Sequence, residues 1–291
     1  MQRTQLVSTH QILGSTMKVF TWLPAAEHRE GVIFAVHGFR GDHHGLARII
    51  SHLPGYAVVV PDLPGFGAST PMAQASHDVP GYVRALAVLA EQLQLPASTH
   101  LLGHSFGSIL ASRLATGRDF ASLLLINPIS QLALESDEAF LATLASGFYE
   151  LCTRLPAEVA EPLLRSTLFA DAMSLVMTKS KDAPTRRYVR EQHRAYFNGF
   201  HTRQVLAESY RASVSDTVGC YAPDLELPVL MIGGLLDELG SEQTQQQLAA
   251  SFAQARLVML PEVGHLVHYE KADRAAAEIT SFLASLKRPQ H

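Results

Sequence analysis

The stretch Leu101-Leu102-Gly103-His104-Ser105-Phe106-Gly107 sets a serine between two glycines, in the pattern G-x-S-x-G, where an apolar run ends and a helical one begins. A serine on so sharp a turn is held in a strained backbone conformation, with its hydroxyl projecting above the strand end. Its flanking positions must be nearly free of side chain, because strand and helix pass close together there. The free N–H groups and dipole at the helix start favour negative charge beside the hydroxyl. This is a place for nucleophilic chemistry, provided that a base can take the hydroxyl proton. Three further clusters fall just after apolar runs: His37-Gly38-Phe39-Arg40-Gly41, Asp237 behind Gly233-Gly234-Leu235-Leu236, and His265 behind Pro261-Glu262-Val263-Gly264. Serine, imidazole and carboxylate are the parts of a proton relay, and the backbone N–H groups of Phe39 and Phe106 are two donors that can face a developing oxyanion.

Such groups act together only if the runs before them lie side by side. Gly31–Val36, Tyr56–Val60, Thr99–Leu102, Ser122–Ile126, Val229–Ile232 and Arg256–Leu260 are apolar on both faces, as strands inside a parallel sheet are. Between them, Leu46–Leu53, Val79–Leu93, Phe106–Thr116, Glu242–Phe252 and Ala272–Leu286 have helical period. The alternation predicts a doubly wound sheet, whose chemistry collects at the carboxyl ends of its strands. Leu6–Ile12 and Met17–Leu23, parted by Gly14-Ser15, read as an antiparallel hairpin at a sheet edge.

From Ser130 to Ala222 only helical period remains, in Phe140, Leu141, Leu144, Phe148, Leu151 and Leu155 and again in Thr185–Phe197, with Pro156, Pro162 and Pro184 as punctuation. The expected organisation is a body of residues 1–129 and 223–291 with a helical lid, 130–222, inserted over the strand ends. No long uncharged apolar surface is expected on that lid. The tail Lys287–His291 is expected to be unstructured.

With 291 residues, 47% of them apolar and 17% charged, the chain can hold one large domain with an insertion. A net charge of −4 without a basic stripe argues against a nucleic-acid partner. No apolar run is long enough to span a bilayer, and Met1–Gln5 leads into a strand without the apolar core of a signal peptide. Cys152 and Cys220 lie far apart and read as reduced, half-buried thiols, which places the protein in the cytoplasm. The 14 histidines raise the question of metal. His43-His44 has no cysteine or carboxylate cluster at ligand spacing, so the pair is expected to start a helix or touch a pocket mouth, and no metal or other cofactor is expected.

On His37-Gly38, Asp62-Leu63-Pro64-Gly65-Phe66-Gly67, Gly103–Gly107, Asp237 and Gly264-His265, the chain resembles the α/β-hydrolase superfamily, in the group with a helical cap between the sixth and seventh strands. The resemblance covers nearly the whole length and is specific for fold and triad, but not for substrate. It implies a mostly parallel eight-stranded sheet with helices on both faces. It also implies a triad of Ser105, Asp237 and His265, an oxyanion hole from Phe39 and Phe106, and a substrate site touched by His37, Gly38, His104, Phe148, Tyr149 and Tyr196. His268 competes as the base. Glu238 and Asp224 compete as the acid, whereas Asn127, at the position some relatives use for it, cannot carry the charge. Asp62 is expected to tie down the loop Leu63–Gly67 rather than to take part in the chemistry.

The reaction implied is hydrolysis of a small to medium carboxylic ester through an acyl-enzyme, by a monomer or homodimer. A thioester would use the same parts. Serine rather than aspartate as nucleophile disfavours dehalogenase and epoxide-hydrolase chemistry. Carbon–carbon hydrolysis of a ring-cleavage product stays open, although Phe39-Arg40-Gly41 departs from the Gly-Pro-Gly loop of those relatives. An elimination like that of the menaquinone-pathway synthase stays open through Arg186, Arg187 and Arg190, should they turn inward. A receptor that binds and hardly turns over is the reading of another class.

Overall fold

The computed structural model describes residues 3–24, 29–132 and 139–287. The body begins with β1 (Gln5–Ile12), β2 (Ser15–Trp22), β3 (Gly31–Val36), α1 (His44–Ser51), β4 (Tyr56–Pro61) and α2 (Val79–Gln92). It continues through β5 (His100–His104), α3 (Phe106–Thr116) and β6 (Ser122–Ile126). Then come five helices, α4 (Ala139–Arg154), α5 (Ala157–Leu164), α6 (Thr167–Met177), α7 (Ala183–Tyr196) and α8 (Arg203–Val214). The alternation resumes with β7 (Val229–Gly234), α9 (Glu242–Ser251), β8 (Ala255–Leu260), α10 (Val267–Glu270) and α11 (Ala272–Leu286).

The strands form one eight-stranded sheet in the order β1-β2-β4-β3-β5-β6-β7-β8. From β4 to β8 every pairing is parallel, and the β1–β2 hairpin joins antiparallel at the edge. Strand residues alternate between two apolar layers. Phe34, Val36, Leu101, Leu123 and Leu125 face one core, while Ile33, Ala35, Leu102, Leu124 and Ile126 face the other. Helices α2 and α3 cover the first layer, and α1 and α11 the second. That double burial is why these strands read as unbroken apolar runs.

β5 runs on to His104, two residues past the expected end, because the serine turn itself closes the strand. The described part of the segment between β6 and β7 is helical as expected, and a bridge, Phe66↔Phe200, forms where it meets the body. Around that bridge Gly67 N–H donates to Gly199 O at 2.7 Å and His201 N–H to Gly65 O at 2.9 Å. Cys152 is buried and Cys220 exposed, and both are free thiols. No helix among the described residues is long and apolar enough to cross a membrane. The expected loose tail lies, from residue 288 on, outside the described residues.

Two expectations fail: neither cysteine is half-buried, and the surface of the expected lid is not free of an apolar patch. The five-helix segment does carry an uncharged apolar surface: Leu168, Leu175 and Val176 of α6 are 79%, 69% and 58% exposed. Apart from Thr167, Asp171 and Ser174 the α6 sequence is apolar, with its apolar positions spread round most of the helix, which reads as a largely buried one. Only its inner side is covered, by the cavity wall and α7.

Candidate active site

Ser105 sits between β5 and α3 at φ 52°, ψ −123°, a conformation that costs a side-chain-bearing residue about 1–3 kcal/mol. The surroundings hold it there. Its N–H donates to Ile126 O at 3.0 Å, and Ser108 N–H returns to its carbonyl at 2.7 Å. A Cβ on Gly103 would stand 2.4 Å from Gly107 O, and one on Gly107 only 2.3 Å from Val36 O. Both glycines are therefore fixed by the crossing of β3, β5 and α3, as the motif implied.

The loop after β8 brings His265 Nε2 to 2.7 Å from Ser105 Oγ. The loop after β7 brings Asp237 to the other side of the ring, with Nδ1 at 2.9 Å from Oδ2 and 3.1 Å from Oδ1. Burial alone would push the Asp237 carboxyl up. The neighbouring His265, the Leu239 amide (2.9 Å to Oδ1) and Asn127 Nδ2 (2.8 Å to Oδ2) outweigh it and hold the group below the ordinary carboxylate value. Asn127 is thus not a vacant acid position. At φ 46°, it donates to Asp237 Oδ2 and to Gly264 O, tying the ends of β6, β7 and β8 together.

Among the competitors, Glu238 is drawn off to Lys179 at 2.5 Å, and Asp224 lies on the turn before β7, at the far edge of the sheet. His268 falls on α10, its ring 3.9 Å from that of His104, and no hydrogen bond joins it to Ser105. Asp62 holds its loop as expected: Oδ1 accepts from the amide and Nδ1 of His43 at 2.8 Å each, and Oδ2 from the Ala68 amide at 2.8 Å. His37 braces the next loop, with Nδ1 donating to Gly38 O at 2.8 Å and Nε2 accepting from the Leu63 amide at 2.9 Å.

Asp42, His43 and His44 bring ligand-type atoms within 4.8 Å of one another. Each is already engaged. His43 gives Nδ1 to Asp62 and stacks on Phe20, while His44 bonds Asp42 and stacks on Tyr196 at 3.8 Å. His44 thus opens α1 and touches a ring of the pocket, which meets both halves of the expectation.

A cavity of about 810 Å³ lies over Ser105 and His265. His37, Gly38, His104, Phe148, Tyr149 and Tyr196 all line it, together with Phe39 and Phe106. Among the described residues, neither the Phe39 nor the Phe106 amide has an acceptor within the protein. Arg186, Arg187 and Arg190 do not reach this space and line a separate outer groove.

Of the two cations that line the cavity among the described residues, Lys179 and Arg40, the buried Arg40 is one that sequence reasoning missed. Arg40 is 1% exposed and reaches from the loop after β3 into the five-helix segment. Its Nε donates to Phe197 O (3.1 Å), Nη1 to Tyr149 Oη (3.2 Å), and Nη2 to Leu164 O (2.9 Å) and Asn198 Oδ1 (3.0 Å). The guanidinium also lies 4.3 Å from the centre of the Phe197 ring and 5.2 Å from that of Phe169. Among the described residues no carboxylate pairs with it. Its one sequence signal was a bulky cation inside a Gly-rich turn.

Four imidazoles around this cavity are kept neutral by burial. His37 and His268 lie below the ordinary value, His193 falls to about 4, and His104, with His265 beside it, falls to about 3. The unfolded rings take up protons as pH falls through 6.5, and the folded ones only at lower pH. Their contribution is therefore intact above 6.5 and lost below it. Thermal melts between about pH 7 and about pH 4 should show a steady fall in Tm. A flat Tm over that window would mean that the rings are solvated.

A family model described as alpha/beta hydrolase fold matches residues 31–272. Lipase 3 of Moraxella sp. (strain TA144) is 24% identical over 265 residues, which span 88% of this chain and 78% of that one. The monoacylglycerol lipase ABHD6 of Homo sapiens is 25% identical over 266 residues, covering 87% and 75%. Among solved structures, the esterase EaEST of Exiguobacterium antarcticum superposes with a TM-score of 0.77 at 14% identity, over 96% of this chain and 100% of that one. The enol-lactonase of Burkholderia xenovorans LB400 gives 0.76 at 19%, over 95% and 100%. At such identities the structural likeness speaks to the fold.

Proposed function

The chain belongs to the α/β-hydrolase family of enzymes, and from that premise we propose that it hydrolyses small to medium carboxylic esters through an acyl-enzyme. Ser105 is the nucleophile, His265 the base and Asp237 its partner. The observation that supports this most is the continuous path from Asp237 through His265 to Ser105, at 2.9 and 2.7 Å. As Ser105 Oγ attacks the ester carbonyl carbon, His265 Nε2 takes its proton, and the ionised Asp237 stabilises the imidazolium through Nδ1–H. The carbonyl oxygen becomes an oxyanion facing the unused amides of Phe39 and Phe106, an interaction worth about 10²–10³ in rate for each donor. Collapse of the intermediate expels the alcohol, protonated by His265. Water then repeats the sequence on the acyl-enzyme.

Residues 130–222 act as a cap in this reading. Phe148, Tyr149 and Tyr196 supply an apolar wall that suits an aliphatic or flat acyl group. The outward Arg186, Arg187 and Arg190 lend no support to an acidic substrate. A fluorophosphonate probe should label the wild type on Ser105 and leave Ser105→Ala unlabelled. Across p-nitrophenyl esters, acyl-CoA thioesters and ring-cleavage dienoates, kcat/KM should be highest for oxygen esters of one short or medium acyl chain. Absence of labelling would point to a receptor, and preference for a dienoate to carbon–carbon cleavage; either result overturns the reading.

A further inference from the structure

On α6, Leu168, Ala172, Leu175 and Val176 fall at helical spacing on one stripe and all face solvent. The opposite side of the helix, through Phe169, Met173 and Met177, lines the cavity above Ser105, and Val176 belongs to both. One helix thickness therefore separates the cavity from an apolar outer surface. Soluble proteins seldom leave such a stripe wet without a use for it.

What borders the stripe names its partner. Helix α7 packs beside α6, and Arg194 bonds Asp171 on α6 through both arms, at 2.7 and 2.6 Å. Asp171 lies three residues after Leu168 and four before Leu175, so its pairing with Arg194 sets the cationic side of α7 along one edge of the stripe. Lys181, Arg186, Arg187 and Arg190 line a shallow groove there with Arg194 and Glu191. Among the described residues, none of those first four has an ion-pair partner.

We propose that α6 and the cationic side of α7 dock this protein on an anionic lipid bilayer, with the Leu168–Leu175 stripe in the acyl boundary and the α7 cations on the headgroups. Apolar side chains flanked by basic ones are the composition of an interfacial helix. A second copy of this chain fits less well. A two-fold contact would set the same patch against itself and bring the unpaired cations of α7 face to face. Docking needs nothing from Ser105. The further step, that the substrate ester enters from the bilayer beside α6, rests on the function proposed above.

The experiment is sedimentation with vesicles, using Ser105→Ala so that no turnover intrudes. Binding to phosphatidylcholine vesicles with about a third phosphatidylglycerol should exceed binding to phosphatidylcholine alone, by roughly fivefold for each cation engaged. It should weaken when salt rises from about 0.1 M to about 1 M, as the screening length falls from about 10 Å to about 3 Å. Leu168→Gln/Leu175→Gln should lose binding tenfold or more, and Arg187→Gln/Arg190→Gln should lose the preference for anionic lipid. In the Ser105-containing background, the Leu168→Gln/Leu175→Gln enzyme should keep its rate on dissolved p-nitrophenyl butyrate and lose rate on a monoacyl ester held in vesicles. No binding to anionic vesicles would overturn the proposal. So would a concentration-dependent dimer that the leucine variants abolish, since the stripe would then be a self-interface. Vesicle binding by a protein that hydrolyses no ester would overturn the functional reading and leave the docking surface standing.

Discussion

Ser105→Ala will stay folded and lose about three or more orders of magnitude in kcat. The side chain removed is one hydroxyl at a cavity floor, and among the described residues its side-chain partner is His265 Nε2 at 2.7 Å. Alanine has the same Cβ, so the strained turn keeps the contacts that define it, through Ile126 O and Ser108 N. Stability should therefore change little, and relief of the Ser105 strain is not available to either residue. His265→Ala should fall nearly as far, because an unassisted hydroxyl is a weak nucleophile at neutral pH. The double variant should lose little beyond either single one if, as proposed, the two side chains share one proton transfer. Rates measured with a soluble ester, beside melting curves for all three variants, decide the matter. Losses that multiply strictly would mean that Ser105 and His265 act in separate steps, and the relay would have to be abandoned.

The parts of the proposed relay could be picked out in the sequence because each follows an apolar strand run, where a doubly wound sheet collects its chemistry. Glycines around a serine are common in ordinary turns too; here the Cβ positions of Gly103 and Gly107 meet carbonyl oxygens at 2.4 and 2.3 Å, because backbone crosses backbone. Asp62 was legible for a similar reason, as a carboxylate placed where a loop needs acceptors. Asn127 was read only as what it lacks. Its amide donor matters because Asp237 keeps one oxygen that neither His265 nor Leu239 fully satisfies, and that depends on three loops meeting. The exposed stripe of α6 was illegible in principle. A helix whose apolar residues are spread round most of its circumference, as they are here apart from Thr167, Asp171 and Ser174, looks the same in sequence whether two of its faces are covered or one. Which face stays wet is decided by where α7 and the cavity lie.

Arg40 is the other residue whose meaning is tertiary, and its replacement is expected to have the second largest effect. It takes φ 57° on the turn closed by Gly41 N–H to Gly38 O at 3.1 Å, immediately after Phe39. A non-glycine residue pays about 1–2 kcal/mol for that conformation. The compensation lies across the cavity, in Leu164 O, Phe197 O, Asn198 Oδ1 and the rings around the guanidinium. Arg40→Ala leaves buried carbonyl acceptors without donors, at about 1–3 kcal/mol each, and opens a void between the rings. Its Tm should drop by several degrees at least. If these contacts with the five-helix segment, the proposed cap, also hold the Phe39 amide in place, kcat and kcat/KM should fall together by about tenfold to a hundredfold at a temperature where the variant is fully folded. Arg40→Lys retains the charge and one or two of the donors and should recover part of both losses, because a single ammonium cannot span acceptors arranged for a planar fork. A merely space-filling arginine would move Tm and leave kcat untouched. That outcome, in the folded lysine variant as well as in alanine, would separate the seating of the cap from the aim of the Phe39 amide.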